Sequence, residues 1–216
     1  MKKLPFGIPG FIMTLAMMVA LAGCYPDESA SIDDLDIVLT TYDSTFDFSG
    51  IATYIMPDTV IAILDPDNPS NNKEYDHAYD AVMLSEVAGQ FADLGYERLT
   101  DTLLQKPDAG VMLSVISTTY SGAYLYDWYY YWGYYPYWPP YYGSGYGYYY
   151  PWAVTYNYSV GTLIVTMIDL KSGQAVQTDS VSVVWMGVVN GLAVGSDISS
   201  RVKSGIDQMF IQSPYL

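Results

Sequence analysis

The chain carries one cysteine and one histidine, and their surroundings bound the chemistry open to it. Cys24 closes the run Leu21-Ala22-Gly23-Cys24, directly behind the apolar stretch Phe11 to Ala22. A thiol there is a nucleophile that can receive a diacylglyceryl group, and the small residues before it suit a peptidase that cuts beside it. His77 stands among Asp76 and Asp80 and is expected either to hydrogen-bond Asp80 or to sit in water. A single histidine excludes any site that needs two. Asp65-Pro66-Asp67-Asn68 begins like a calcium loop. The spacing then fails: Pro69 stands at loop position five, Ser70 replaces the glycine at six and Asp76 replaces the glutamate at twelve. The paired acids Asp33 and Asp34 lie where no rigid frame would hold them for acid–base work. Gly187, Gly191 and Gly195 recur every four residues without the lysine of a phosphate-binding loop, and no G-x-S-x-G nucleophile elbow occurs. These residues predict no catalytic site, no metal and no cofactor.

The N-terminal pattern resembles the lipobox of bacterial lipoproteins. Lys2 and Lys3 form a basic start. The apolar run is near 12 residues, against the ~20 that a spanning helix needs, and fits a secretory h-region. Residues 1–23 are therefore expected to be a lipoprotein signal peptide, with lipidation at Cys24 as the membrane attachment; an ordinary secretory signal with an incidental cysteine is the other reading. Residues 24–36 read as an acidic tether. Tyr25 is not the aspartate of an inner-membrane retention signal, which favours the outer membrane. Pro26-Asp27-Glu28 resembles the surface-export signal of Bacteroidota lipoproteins, and equally an acidic solvated tether. With 8 basic and 23 acidic residues the formal charge is −15. That balance argues against nucleic acid, which needs Lys and Arg to displace counterions, and against electrostatic docking on anionic lipid.

Residues 37–216 are expected to form a single domain, in which Ile37 to Thr41, Ile51 to Tyr54 and Val60 to Leu64 are short β-prone runs. Residues 78–94 are expected to form a helix, with Ala78, Ala81, Val82, Leu84, Val87, Ala88, Phe91 and Leu94 as its apolar stripe and Gly95 as the terminating residue. Gly89, inside the stripe, suggests close approach to a sheet. Val111 to Tyr120 and Gly161 to Leu170 have the composition of strands, and Gln174 to Val189 that of the return strand of a hairpin turned at Lys171-Ser172-Gly173. Ile198, Val202, Ile206 and Met209 predict a second helix over 198–211 with Ser196 or Asp197 as N-cap. The expected fold is α+β: two helices packed on a mostly antiparallel sheet.

In order along the chain stand Asp47-Phe48-Ser49-Gly50-Ile51-Ala52-Thr53-Tyr54, Leu94-Gly95-Tyr96, Lys106-Pro107-Asp108 and Gly161-Thr162-Leu163-Ile164-Val165. Ile168-Asp169-Leu170-Lys171-Ser172-Gly173 and Trp185-Met186-Gly187 follow. This series resembles the bacterial lipoproteins of domain of unknown function family 4136, from about Leu35 to the C-terminus. The resemblance implies an envelope lipoprotein domain without established activity or catalytic residues. Trp185 lies further from the turn glycine than that pattern leads one to expect, which a longer hairpin would explain.

Residues 120–158 are the compositional outlier: 39 residues with 17 of the 24 tyrosines, 4 of the 5 tryptophans and one charged residue, Asp127. Prolines and glycines break any strand or helix period. The segment is expected to be a long Tyr/Trp-rich excursion between two strands that projects from the sheet and is dispensable for folding. A structural aromatic cluster, a binding surface and insertion at the bilayer interface are its three readings. As a binding surface, Tyr126, Trp128, Trp132, Trp138 and Trp152 would stack on a glycan or protein partner. Single-stranded nucleic acid would need a basic groove that the segment lacks. The sequence thus points to a lipid-anchored envelope protein, a non-catalytic binding or scaffolding module. The alternative is an envelope glycan hydrolase with carboxylates about 5–10 Å apart.

Overall fold

The computed structural model describes residues 37–64, 69–100, 105–117, 147–149, 161–172, 180–192 and 197–216. Among these residues, eight strands and two α-helices follow one another in the order β1 (Ile37–Tyr42), β2 (Thr53–Ile55), β3 (Ile61–Ile63), α1 (Asp80–Asp93), β4 (Glu97–Arg98), β5 (Ala109–Ile116), β6 (Gly147–Tyr149), β7 (Leu163–Asp169), β8 (Ser180–Asn190) and α2 (Ile198–Ile211). The sheet runs β1-β8-β7-β5-β2-β4. Its long ladders, β1 with β8, β8 with β7 and β7 with β5, are antiparallel. The short strands β2 and β3 lie parallel to β5, and β4 lies parallel to β2. The fold is α+β with two helices and a mostly antiparallel mixed sheet, as the sequence predicts. β6 pairs in parallel with Ser180 to Ser182, the first residues of β8.

Strand alternation sorts the core. Ala109, Val111, Leu113 and Val115 of β5 and Leu163, Val165 and Met167 of β7 share one face with the apolar sides of both helices. From α1 come Met83, Val87 and Phe91; from α2 come Val202, Ile206, Met209 and Phe210. The α1 stripe is therefore centred on Met83, Val87 and Phe91, whereas Ala78, Ala81 and Leu94 of the expected stripe are exposed. Gly95 ends α1 as expected, at φ 89°. The Tyr96 N–H donates to Phe91 O at 3.0 Å and the Gly95 N–H to Ala92 O at 2.9 Å, while the Tyr96 ring meets Phe91 edge-on at 5.6 Å. This is a complete Schellman closure with its apolar contact. Asp197 is the N-cap of α2, one of the two residues expected there, and its carbonyl accepts the Arg201 N–H at 3.2 Å; it stands in the left-handed region, φ 60°, and its side chain makes no capping hydrogen bond. Its carboxylate is placed where the helix dipole favours negative charge.

Close approach of helix to sheet occurs at Gly187 and Gly205 rather than at Gly89. Gly89 is exposed, with open space where a Cβ would lie. A Cβ on Gly187 would overlap Met209 of α2, and one on Gly205 would lie 2.7 Å from Cγ1 of Val189. Strand and helix thus each give up a side chain where the other presents a large one. Between them sits Trp185, fully buried, packed on Phe210 at 5.5 Å and edge-on to Phe91 at 6.4 Å. Its indole N–H donates to Ser213 Oγ at 2.9 Å, and that hydroxyl donates to Met209 O at 2.9 Å, which fixes the C-terminal turn beyond α2. Met167 pairs with Trp185 but Ile168 with Val183, so Val184 is an extra residue in β8. This bulge accounts for one residue of the long spacing between the turn and Trp185; residues 173–179, also between them, lie outside the described residues. Gly187→Ala is expected to destabilise the domain by about 1–3 kcal/mol through overpacking. In urea unfolding, Gly187→Ala combined with Met209→Ala should cost clearly less than the sum of the single substitutions, because the second removes the atoms the first would strike.

Candidate functional site

Three segments far apart in sequence meet where β5 begins and β7 ends. Asp108 stands just before β5. Its Oδ2 accepts the N–H groups of Ala52 and Thr53, each at 3.0 Å, and the Thr53 hydroxyl at 3.1 Å. Its own N–H donates to Thr53 O at 3.1 Å, and its carbonyl accepts the Leu170 N–H at 2.9 Å. The Lys171 ammonium lies 3.6 Å from Asp108 Oδ1 and donates to the Gly50 carbonyl. Asp169 Oδ1 accepts the N–H groups of Lys171 at 2.8 Å and Ser172 at 3.1 Å, shaping the chain as it leaves β7. Asp47 Oδ1 accepts Ser49 N at 3.1 Å and Ser49 Oγ at 2.6 Å, capping the 3₁₀ turn Phe48–Gly50. Burial acts to raise the Asp108 carboxyl, but the Ala52 and Thr53 donors and the Lys171 charge outweigh it and hold the pKa below its ordinary value.

A second carboxylate, Asp80, opens α1. The Tyr75 hydroxyl donates to Oδ1 at 2.7 Å, the Val60 N–H to Oδ2 at 3.1 Å, and His77 Nδ1 lies 2.9 Å from Oδ2. His77 hydrogen-bonds Asp80, one of the two positions expected for it, and is 59% exposed, with its ring edge-on to Tyr75 at 4.6 Å. Burial raises the Tyr75 phenol far above its ordinary pKa, assisted by its hydrogen bond to Asp80 and the charges of Asp80 and Asp76.

Both constellations organise backbone. Among the described residues, the donors reaching Asp108 Oδ2 belong to Ala52 and Thr53, at the entry to β2, and this oxygen holds them. Among the described residues no group of three His, Cys, Asp or Glu side chains converges to hold a metal ion. Cys24, the acids Asp33 and Asp34, the Asp65–Asn68 stretch, and Tyr126, Trp128, Trp132, Trp138 and Trp152 lie outside the described residues. The role of Asp108 is the part that sequence reasoning missed. Its signal was present as Lys106-Pro107-Asp108 alongside Ala52-Thr53 and Leu170-Lys171, but nothing in their spacing says that these runs touch. Asp108→Asn, which keeps the shape and removes the charge, is expected to cost about 1–2 kcal/mol at pH 7. The folded pKa is depressed, so this stabilisation is complete above the unfolded value and is lost as pH falls through the folded one. Chemical unfolding of both proteins from pH 7 to pH 2 should show the gap closing below about pH 4.

The family model described as "Domain of unknown function (DUF4136)" matches residues 38–215. A crystal structure of a DUF4136 family protein from Bacteroides thetaiotaomicron VPI-5482 is 30% identical with a TM-score of 0.64, over 84% of this chain and 97% of that one. A PDZ domain protein from Parabacteroides distasonis matches at 13% identity and TM-score 0.41, over 84% of this chain and 36% of that one. A PelC dodecamer from Paraburkholderia phytofirmans matches at 11% identity and TM-score 0.36, over 82% and 95%. A search of curated proteins finds no match. With the family match running from β1 to the residue before the C-terminus, the chain belongs to the DUF4136 family of domains of unknown function.

Proposed function

We propose that this protein is a lipid-anchored cell-envelope protein that binds or scaffolds through an aromatic surface and does no catalysis of its own. The observation that carries the anchoring is the position of the sole cysteine, Cys24, behind Leu21-Ala22-Gly23 and a short apolar run. No helix among the described residues is long and apolar enough to cross a membrane, so the acyl chains on Cys24 would hold the protein to the bilayer. Each buried CH₂ contributes about 0.8 kcal/mol. Tyr25 after the cysteine favours the outer membrane. The non-catalytic reading is supported by the part-buried carboxylates Asp108 and Asp80, which accept from the chain's own amides and hydroxyls. The binding surface is assigned to Tyr126, Trp128, Trp132, Trp138 and Trp152, whose rings offer large contact area with few rotors and suit the C–H faces of an envelope glycan.

Metabolic labelling with a fatty-acid analogue should mark the wild type and leave Cys24→Ser unlabelled; equal label in both would refute the anchor. For binding, the probe is purified envelope polysaccharide in affinity electrophoresis. Alanine at Trp128, Trp132 or Trp138 should weaken retardation by about 30-fold for a ring that acts as a hot spot, which corresponds to about 2 kcal/mol. Unchanged retardation in all three variants, with an unchanged thermal transition, would remove the aromatic surface from the reading.

A further inference from the structure

The sheet has a second face, and both helices pack on the other one. Opposite the helix-facing residues, alternation places Met112, Ile116, Ile164, Ile168, Met186 and Val188. All six lie outside the core cluster that the helices share, yet each is between 0 and 4% exposed. Cross-strand neighbours alone do not bury large side chains to that degree; a covering layer does. Ser114 Oγ and Thr166 Oγ1, on the same face, are buried without hydrogen-bond partners, as under a cover that brings no polar groups to them.

Register identifies the cover. Val115 pairs with Leu163, so β5 ends and β7 begins at the same end of the sheet. The chain that leaves at Ser117 and re-enters at Gly161 has both its ends there. β6, which lies within that stretch, pairs with Ser180 to Ser182. Those residues are at the other end, because β8 then runs past Val183 opposite Ile168 to Val189 opposite Leu163. From Ser182 to Val189 the sheet spans about 23 Å at ~3.3 Å per residue. Ser117 and Gly147 therefore stand at opposite ends of the sheet, and so do Tyr149 and Gly161. The shorter of the two connections, with a reach of about 40 Å when extended, suffices. The helix face is already filled by α1 and α2.

We propose that the Tyr/Trp-rich stretch 118–160 crosses the second face of the sheet and seats part of its rings on Met112, Ile164, Ile168, Met186 and Val188, making it a third layer of the domain rather than a projecting arm. The inference is independent of the anchoring and binding proposed above: rings on the outer side of such a layer remain available to a partner.

The test uses the intact full-length chain. Photo-methionine is incorporated in place of methionine, the protein is irradiated, and cross-links are mapped on chymotryptic peptides, since no Lys or Arg lies between Lys106 and Lys171 to give useful tryptic ones. Cross-links from positions 112 and 186 should fall in residues 118–160, while those from positions 83, 167 and 209 fall among the helices and the helix-facing strands. Links from 112 and 186 that reach residues 1–36, or a second copy in an isotope-mixed sample, would overturn the proposal. So would links confined to the strands themselves.

Discussion

β5 and β7 are buried on both faces, and that condition governs the architecture. A central strand in this position needs a layer above and a layer below, which is why its sequence runs apolar without strict alternation. α1 and α2 supply one layer through Phe91, Ile206 and Met209. The short strands β2 and β3 fill the remaining edge of β5, each beside a different part of it. These layers must be held at the right height.

Two devices set that height. On the helix side, absent side chains at Gly187 and Gly205 let β8 and α2 interlock, and Trp185 fills the space between α1, α2 and the sheet. The Trp185-Met186-Gly187 run is thereby explained residue by residue. The indole faces the helices, the methionine faces the opposite side, and the glycine yields to Met209. At the end of the sheet, the buried side of Asp108 gathers the turn into β2 and the exit from β7. A charged acceptor suits this place because several amides must be satisfied at once by one small side chain.

Periodicity made the long elements legible. Ile198–Ile211 forms a helix over the range its four-four-three apolar spacing indicates, and Gly95 closes α1 because only a residue without a Cβ adopts positive φ freely. The centre of the α1 stripe was less legible: Met83 stands four residues before Val87 and shares its arc, whereas Ala81 lies well round the helix from it and Leu94 follows the last helical residue, Asp93. Parallel pairing of β2 and β3 with β5 was not legible at all, since a three-residue strand carries no statement of its partner. The Asp108 constellation failed for the same reason. Its members are 55 residues and more apart, and the contact exists only once the sheet is assembled. The aromatic residues singled out for binding carry no periodic signal, and their composition alone names a chemistry without a location.

The position of β1 has a mechanical consequence. It is an edge strand whose first residue, Ile37, pairs with Asn190, and whose last, Tyr42, pairs with Trp185. If the chain is tethered to a membrane upstream, any tension between bilayer and domain enters through Ile37. Pulled along its own axis, an antiparallel strand loads its rungs together in shear, because the hydrogen bonds lie perpendicular to it. Pulled outward, it would open one rung at a time. The stacking of Tyr42 on Tyr215, with ring centroids 3.6 Å apart, clamps the far end of the strand to the C-terminus. A domain built this way yields more readily to a partner that peels its edge than to one that drags it along the strand.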